Sequence, residues 1–328
     1  MNSFPSHQPH LLDGLPPFII GGAVFNYQYH PNPQTLPVED ILRHAFALGY
    51  NAIDTSPYYG PSEEILGQAL TKLNVARESY YICTKAGRIK LDEFDYSRQQ
   101  VRQSVLRSLQ RLNTTYLDLV YMHDIEFVVI DDVIEALKEL QCLKNEGIIK
   151  NIGISGYPIH FLYATAVKWK QVNGGQPLDA VMSYCHGCIQ NNTLFDIATK
   201  LKQDAGVSKI MNASILSMSL LRSEKTHSFH PASEALKQRV DELASQLKIE
   251  KGVELAELAT KYAIYEWMIK RNSSIVLGVS NLNELNVAIE AYELLKQNGL
   301  SEADETLINK FQLDLGDHLN ETWPSGHS

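Results

Sequence analysis

NAIDTSPYYGPSEEILGQALTKL, residues 51–73, contains one complete unit of a repeating fold. The apolar pair Ala52-Ile53 runs into Asp54 and two hydroxyl residues, as a short buried strand would before it reaches polar surroundings. Pro57 and the Gly60-Pro61 pair then break the chain. SEEILGQALTKL resumes with apolar residues at helical spacing. The stretch therefore reads as strand, sharp loop, helix. Asp54 ends the strand, and Tyr59 sits in the loop that leaves it.

The same rhythm extends in both directions. Strand-like runs occur at 17–25 (PFIIGGAVF), 80–86 (YYICTKA), 117–123 (LDLVYMH), 151–156 (NIGISG), 180–185 (AVMSYC), 209–215 (KIMNASI) and 274–280 (SIVLGVS). Helical patterns lie between them at 37–49, 97–113, 131–147 and 160–172, with two in series near 232–248 and 253–269 and a last at 283–296. Eight strand-like runs, each followed by a helical region, predict a (β/α)8 TIM barrel of the α/β class. An open doubly wound sheet is the competing architecture, but no GxGxxG follows the first strand. No linker or low-complexity segment divides the chain. One domain over residues 1–328 is expected, with a short N-terminal arm and a C-terminal tail.

Composition limits the function classes. Of 328 residues, 44% are hydrophobic and 20% charged, enough for a large core and too ordered a mixture for a disordered chain. The net charge of −9 and the lack of a basic run argue against nucleic acid as a partner. No stretch has the roughly 20 apolar residues of a membrane span, and the first residues lack a secretory pattern. Four scattered cysteines fit reduced thiols in the cytoplasm. No protein partner is evident.

A barrel places its chemistry where strands end at their C-terminal rim. Asp54, Lys85 and His123 each finish an apolar run on consecutive predicted strands, and Tyr59 lies in the loop after the first of them. This set suits proton exchange with an alcohol or carbonyl. A phenol ordinarily titrates near pH 10, and a neighbouring ammonium stabilises its anion. An acid can hold the lysine, and a histidine can orient the substrate oxygen. None of these groups carries a hydride, so a nicotinamide cofactor is expected.

The strings D-T-S-x-x-Y-G at 54–60, T-K at 84–85 and M-H-D at 122–124 resemble the tetrad motifs of the aldo-keto reductase superfamily. That resemblance runs from LPPFIIGG to the GVSNLNEL stretch. It implies the superfamily's barrel, Tyr59 as general acid/base, Lys85 and Asp54 as groups that tune it, and His123 as the group that orients the substrate. Within the superfamily, DTSPYYGPSE, ICTKAGRI, TTYLDLVYMHDIEF, KNIGISGYP, SYCHGCIQNN and NASILSMSLLR resemble the fungal NAD-dependent D-arabinose 1-dehydrogenases. Much of the pattern is shared with the plant L-galactose dehydrogenases. Both groups oxidise sugars at C1 to lactones that feed ascorbate-type or erythroascorbate-type synthesis.

Departures from the superfamily pattern sharpen the expectations. The fifth strand ordinarily ends Ser-Asn, with both side chains on the nicotinamide amide; here Ser155 precedes Gly156. The usual strand-six glutamine and strand-seven aromatic read as Val181 and Ala213, which makes Asn212 and Ser214 candidates for holding the ring. Gly22, Gly278 and Ser280 complete the implied cofactor contacts. Where NADPH-using relatives carry basic residues, GVSNLNEL offers Val279 and Glu284. A carboxylate repels a 2′-phosphate but accepts a bond from a free ribose hydroxyl, which favours NAD; the plainer reading of Glu284 is an acid in a helix's first turn.

Ser56 and Asp124 flank tetrad residues and are candidates for binding sugar hydroxyls, against plainer readings as a turn residue and a capping acid. Cys185-His186-Gly187-Cys188 has no second cysteine pair near it, so no metal is expected. A sugar dehydrogenase is the leading expectation. An NADPH-dependent aldehyde or ketone reductase, or a nucleotide-binding regulatory protein without sugar turnover, are the alternatives.

Overall fold

The computed structural model describes residues 12–326, and the expected N-terminal arm lies largely outside these residues. Eight parallel strands close into a barrel: β1 (Phe18–Gly21), β2 (Ala52–Asp54), β3 (Tyr81–Ala86), β6 (Leu119–His123), β7 (Ile152–Gly156), β8 (Ala180–Tyr184), β9 (Lys209–Ala213) and β10 (Ile275–Gly278). The ring closes where β1 pairs with β10, Gly21 opposite Gly278. All eight coincide with the strand-like runs of the sequence. Two further strands, β4 (Arg88–Lys90) and β5 (Glu93–Phe94), form an antiparallel hairpin after β3 that the sequence pattern did not announce.

Among the described residues ten α-helices surround the barrel: α1 (Val38–Ala47), α2 (Ser62–Leu73), α3 (Arg98–Arg111), α4 (Ile130–Asn145), α5 (Ile159–Val172), α6 (Leu194–Gln203), α7 (Glu234–Lys251), α8 (Leu255–Ala263), α9 (Leu282–Asn298) and α10 (Glu302–Leu315). Local chemistry sets several boundaries. Ser97, Ser233 and Asn281 cap α3, α7 and α9 by accepting the N–H of the residue three positions on. Gly252 closes α7 in the left-handed conformation at φ +67°. The C-terminal tail packs on the barrel. It contains α10, packed against α7 and α8, and then runs back so that buried Trp323 stacks on Tyr157 with ring centroids 4.5 Å apart.

Strand residues alternate between two cores. Ile20, Ile53, Ile82, Val120, Ile154, Val181, Ile210, Ile275 and Leu277 face the helices. Ile19, Ala52, Cys83, Leu119, Tyr121, Met182, Met211 and Val276 fill the barrel, which Leu12 and Leu15 plug from below. The period of two leaves Gly21, Asp54, Lys85, His123, Ser155, Tyr184, Ala213 and Gly278 as the inward layer at the C-terminal rim.

Candidate active site

One half of that inward layer is ionisable. Lys85 Nζ donates to Asp54 Oδ1 at 2.5 Å and to the Thr55 carbonyl at 2.9 Å. Both side chains are nearly inaccessible, at 2% and 4% exposure, so this is a buried ion pair. Burial raises the Asp54 carboxyl, with Lys85 opposing. Burial also works against the lysine charge, but Asp54 and Tyr59 outweigh it and hold the ammonium charged.

The loop after β2 brings Tyr59 to this pair. Tyr59 N–H donates to the Ser56 carbonyl at 3.0 Å, Ser62 N–H to the Tyr59 carbonyl at 3.1 Å, and Gly60 takes φ +55°. The Lys85 ammonium lies 4.9 Å from the Tyr59 ring centroid. Desolvation nonetheless raises the phenol to about 12, and Lys85 offsets this only in part. Lys85 favours the phenolate, as expected, while in this dry setting the burial cost exceeds the ammonium's pull.

His123 meets Tyr59 edge to face, with ring centroids 5.6 Å apart. Burial first, then the charges of Lys85 and Arg88, push its imidazole well below the usual histidine range, so it is neutral at physiological pH. Asp54, Tyr59, Lys85 and His123 thus converge on one rim.

Ser56 and Asp124, the sugar-binding candidates, are both at this rim and both have protein partners. Ser56 Oγ lies 3.0 Å from His123 Nδ1 and accepts the Tyr58 N–H at 3.1 Å. Asp124 Oδ2 is paired with Arg88 Nη1, and Asp124 sits at φ +54° in the left-handed region, a strain typical of functional positions.

The cofactor candidates divide. Ser155 faces inward beside His123, its hydroxyl donating to the Met122 carbonyl at 3.3 Å. Asn212 does not face the rim. It lies on the outer side of β9, where its amide donates to the Gly187 carbonyl at 2.7 Å, and the inward residue of that level is Ala213. Val181 likewise packs against the helices, so Met182 holds the inward place on β8. Both shifts follow from strand parity, where a slip of one residue exchanges faces.

Ser214 opens a loop in which Ser214, Ser217, Met218 and Ser219 all take positive φ. Gly22 is crowded, since a Cβ there would stand 2.6 Å from Ser62 Oγ. Gly278 ends β10 at the inward layer. Glu284 forms a cap on α9. Its carboxylate accepts from Ser280 N–H at 2.7 Å and Asn281 Nδ2 at 2.9 Å, while its own N–H donates to Asn281 Oδ1 at 3.0 Å. The plainer reading of Glu284 is thus realised in the geometry.

The residues present fit a nicotinamide nucleotide. The half of the rim opposite the charged groups carries small inward residues at Ser155, Ala213, Gly278 and Gly21, with the Tyr184 ring between Ser155 and Ala213, and the small residues leave room for a flat ring. Beside it, the strained loop after β9 carries buried Arg222 Nε and Thr226 Oγ1 without hydrogen-bond partners, donors suited to a diphosphate.

Sequence reasoning missed Arg88 and Tyr184. Arg88 had a signal, a basic residue just past a strand-ending Lys-Ala-Gly, while Tyr184 emerges only from strand parity. Among the described residues no group of three or more His, Cys, Asp or Glu is placed to hold a metal ion. A surface groove of about 720 Å³ between α1 and α2 is not lined by the tetrad. Within the described residues no helix is long and apolar enough to cross a membrane.

Comparison with known proteins agrees with this geometry. Residues 17–307 match the model of the aldo/keto reductase family. The chain is 50% identical over 325 residues to D-arabinose 1-dehydrogenase of Saccharomyces cerevisiae, covering 97% of this chain and 96% of that one. It is 37% identical over 289 residues to L-galactose dehydrogenase of Arabidopsis thaliana, covering 87% and 86%. A solved structure from Pseudomonas aeruginosa, of a protein assigned to the aldo-keto reductases, superposes with a TM-score of 0.60 at 22% identity, covering 91% of this chain and 97% of that one; it supports the fold.

Proposed function

This chain belongs to the aldo/keto reductase family, and on that footing we propose that it oxidises an aldose, D-arabinose or L-galactose, at C1 to the aldonolactone with NAD. The family uses nicotinamide nucleotides. The observation that carries the reading is the convergence of Tyr59, Lys85, Asp54 and His123 on one rim of a chain so similar to a sugar dehydrogenase.

The proposed chemistry balances in one step. When bound, an oxidised nicotinamide would supply the acceptor for the C1 hydride. The C1 hydroxyl proton passes to Tyr59, and the C1–O bond becomes the lactone carbonyl. Lys85 favours the phenolate that must receive this proton, and the buried Asp54 carboxylate keeps Lys85 charged and aimed. Neutral His123 donates its Nε2–H to the reacting oxygen, since the Asp124 carboxylate 3.5 Å away does not hold that proton in a hydrogen bond. Asp124 accepts from Arg88 through Oδ2, which leaves Oδ1 to accept a sugar hydroxyl. Ser155 is proposed to meet the nicotinamide amide, with Gly278, Gly21 and Ala213 giving the ring its space. The loop from Ser214 to Thr226 is proposed to take the diphosphate, and Glu284 the ribose hydroxyls. The Glu284 carboxylate at the start of α9, where a 2′-phosphate clamp would need a base, supports NAD over NADP.

The test is NADH formation by the purified protein with D-arabinose, with L-galactose and NADP in parallel arms. Turnover with NAD on either sugar, lost in Tyr59→Phe while NAD still binds, is the expected result. Reduction of simple aldehydes by NADPH without sugar oxidation would overturn it.

A further inference from the structure

The groups around His123 form a closed set. Ser56 Oγ stands at Nδ1, 3.0 Å away. Asp124 Oδ2 stands 3.5 Å from Nε2. From β3 comes Lys85, with Asp54 behind it; the loop after β2 supplies the Tyr58 and Tyr59 rings, and β8 supplies Tyr184. Tyr96 O–H donates to the His123 carbonyl at 2.5 Å and fixes the backbone. The remaining charged group is Arg88, and its position is built with care. Gly87, at φ +102°, turns the chain out of β3 so tightly that a Cβ would lie 2.5 Å from the Tyr96 ring. Arg88 then folds back. Its guanidinium lies 4.0 Å from the Tyr58 ring centroid, pairs with Asp124 Oδ2, and donates from Nη2 to the Leu91 carbonyl at 3.1 Å.

Two consequences follow from donor and acceptor counting. The Asp124 carboxylate, 3.5 Å from Nε2, favours the ring proton on that nitrogen. The other nitrogen then accepts from Ser56, whose hydroxyl is free to donate because it already receives the Tyr58 N–H. This assigns the Nε2–H tautomer from the network. The same carboxylate, if it stood alone beside Nε2, would draw a second proton onto the ring. An imidazolium there would repel Lys85 and disturb the Tyr59 proton balance.

Resting on the dehydrogenase reading, we propose that Arg88 is a positioning residue whose ion pair with Asp124 keeps His123 neutral with its proton on Nε2. Arg88 touches no reacting atom in this account. It neutralises Asp124, the acid 3.5 Å from the imidazole Nε2, and holds that carboxylate in place. The direction of the His123 pKa, lowered by burial, Lys85 and Arg88, agrees with it.

The experiment is a nitrogen-15 NMR titration of the imidazoles in the free enzyme, with His123 assigned by its loss in His123→Asn. It needs no substrate, so it is independent of the sugar reading. The wild type is expected to show the Nε2–H tautomer and a His123 midpoint well below the usual histidine range. In Arg88→Leu the His123 midpoint should rise by roughly one to three units, the usual effect of an unscreened opposite charge at this range. Arg88→Lys should keep the low value, and Arg88→Leu with Asp124→Asn should restore it. In turnover assays, the acid limb of kcat/KM should move with the NMR midpoint. An unchanged His123 midpoint in a folded Arg88→Leu protein, an Nδ1–H tautomer in the wild type, or failure of the double variant to restore the midpoint would each overturn the proposal. A shifted midpoint without any sugar oxidation would leave this inference standing and remove the proposed function.

Discussion

Lys85→Met separates the two jobs of the central ion pair. The substitution removes an ammonium bonded at 2.5 Å to Asp54 Oδ1 and at 2.9 Å to the Thr55 carbonyl. Asp54 is left buried with neither oxygen paired, because Oδ2 already lacks a hydrogen-bond partner. Breaking one side of a buried pair costs roughly 3–5 kcal/mol. For a chain of 328 residues that lowers the melting temperature by about 4–7 °C. The catalytic loss has a separate origin. A cation 4.9 Å from the Tyr59 ring is worth roughly 3 kcal/mol to the phenolate at an effective dielectric of about 20, or about two pKa units. The phenol already stands at about 12, so turnover at neutral pH should fall at least about a hundredfold.

The sign of the pH effect follows. With Lys85 gone, the folded-state pKa of Asp54 moves further above its unfolded value. Its protonated form then carries the stability, which is present at low pH and lost as pH rises through the folded pKa. Thermal melts of Lys85→Met at pH 5 and pH 8 should therefore show a smaller deficit at pH 5. Asp54→Asn with Lys85→Met should recover most of the stability and none of the turnover. Full turnover in the folded fraction of Lys85→Met, or recovery of activity in the double variant, would refute the reasoning.

Other outcomes follow from single observations. Glu284→Arg should raise kcat/KM with NADP relative to NAD by at least about tenfold, measured with both nucleotides on one sugar; Asn281→Ala, which removes the α9 cap and a donor to the Glu284 carboxylate, should cost about 1 kcal/mol in denaturant melts. Gly67→Ala puts a Cβ 2.0 Å from the Arg111 carbonyl oxygen and 2.9 Å from Leu112 Cα, where α2 crosses the end of α3. It should destabilise by roughly 1–3 kcal/mol or more, read by thermal melting, with normal kinetics in whatever folds. Burial raises Glu126 to about 7, above its value in the unfolded chain, so wild-type stability should decline from about pH 5 to pH 7. Glu126→Gln should remove that decline and be the more stable protein at pH 8.

The tetrad was legible because strand ends are legible. Asp54, Lys85 and His123 each terminate an apolar run, and a barrel has only one place for such ends. Tyr59 was legible because Pro57 and Gly60 announce a sharp loop. Asn212 and Val181 were misplaced because KIMNASI and AVMSYC are apolar on both faces. Their patterns identify a buried strand without saying which residues face in. Glu284 read two ways in the sequence, and the structure realises the cap without deciding what the carboxylate meets when a nucleotide binds.

The sequence alone determined the repeat of strands and helices, the single barrel and the four groups at its rim, since these rest on local periodicity and on which residues can end a buried strand. Tertiary structure decided the parity of β8 and β9, which is set by pairing with neighbouring strands. It also decided the return of the chain after Trp323 and the hairpin that carries Arg88 back to Asp124 and His123. These depend on contacts between residues far apart along the chain, and on a turn at Gly87 whose direction only the packing of Tyr96 and Met122 fixes.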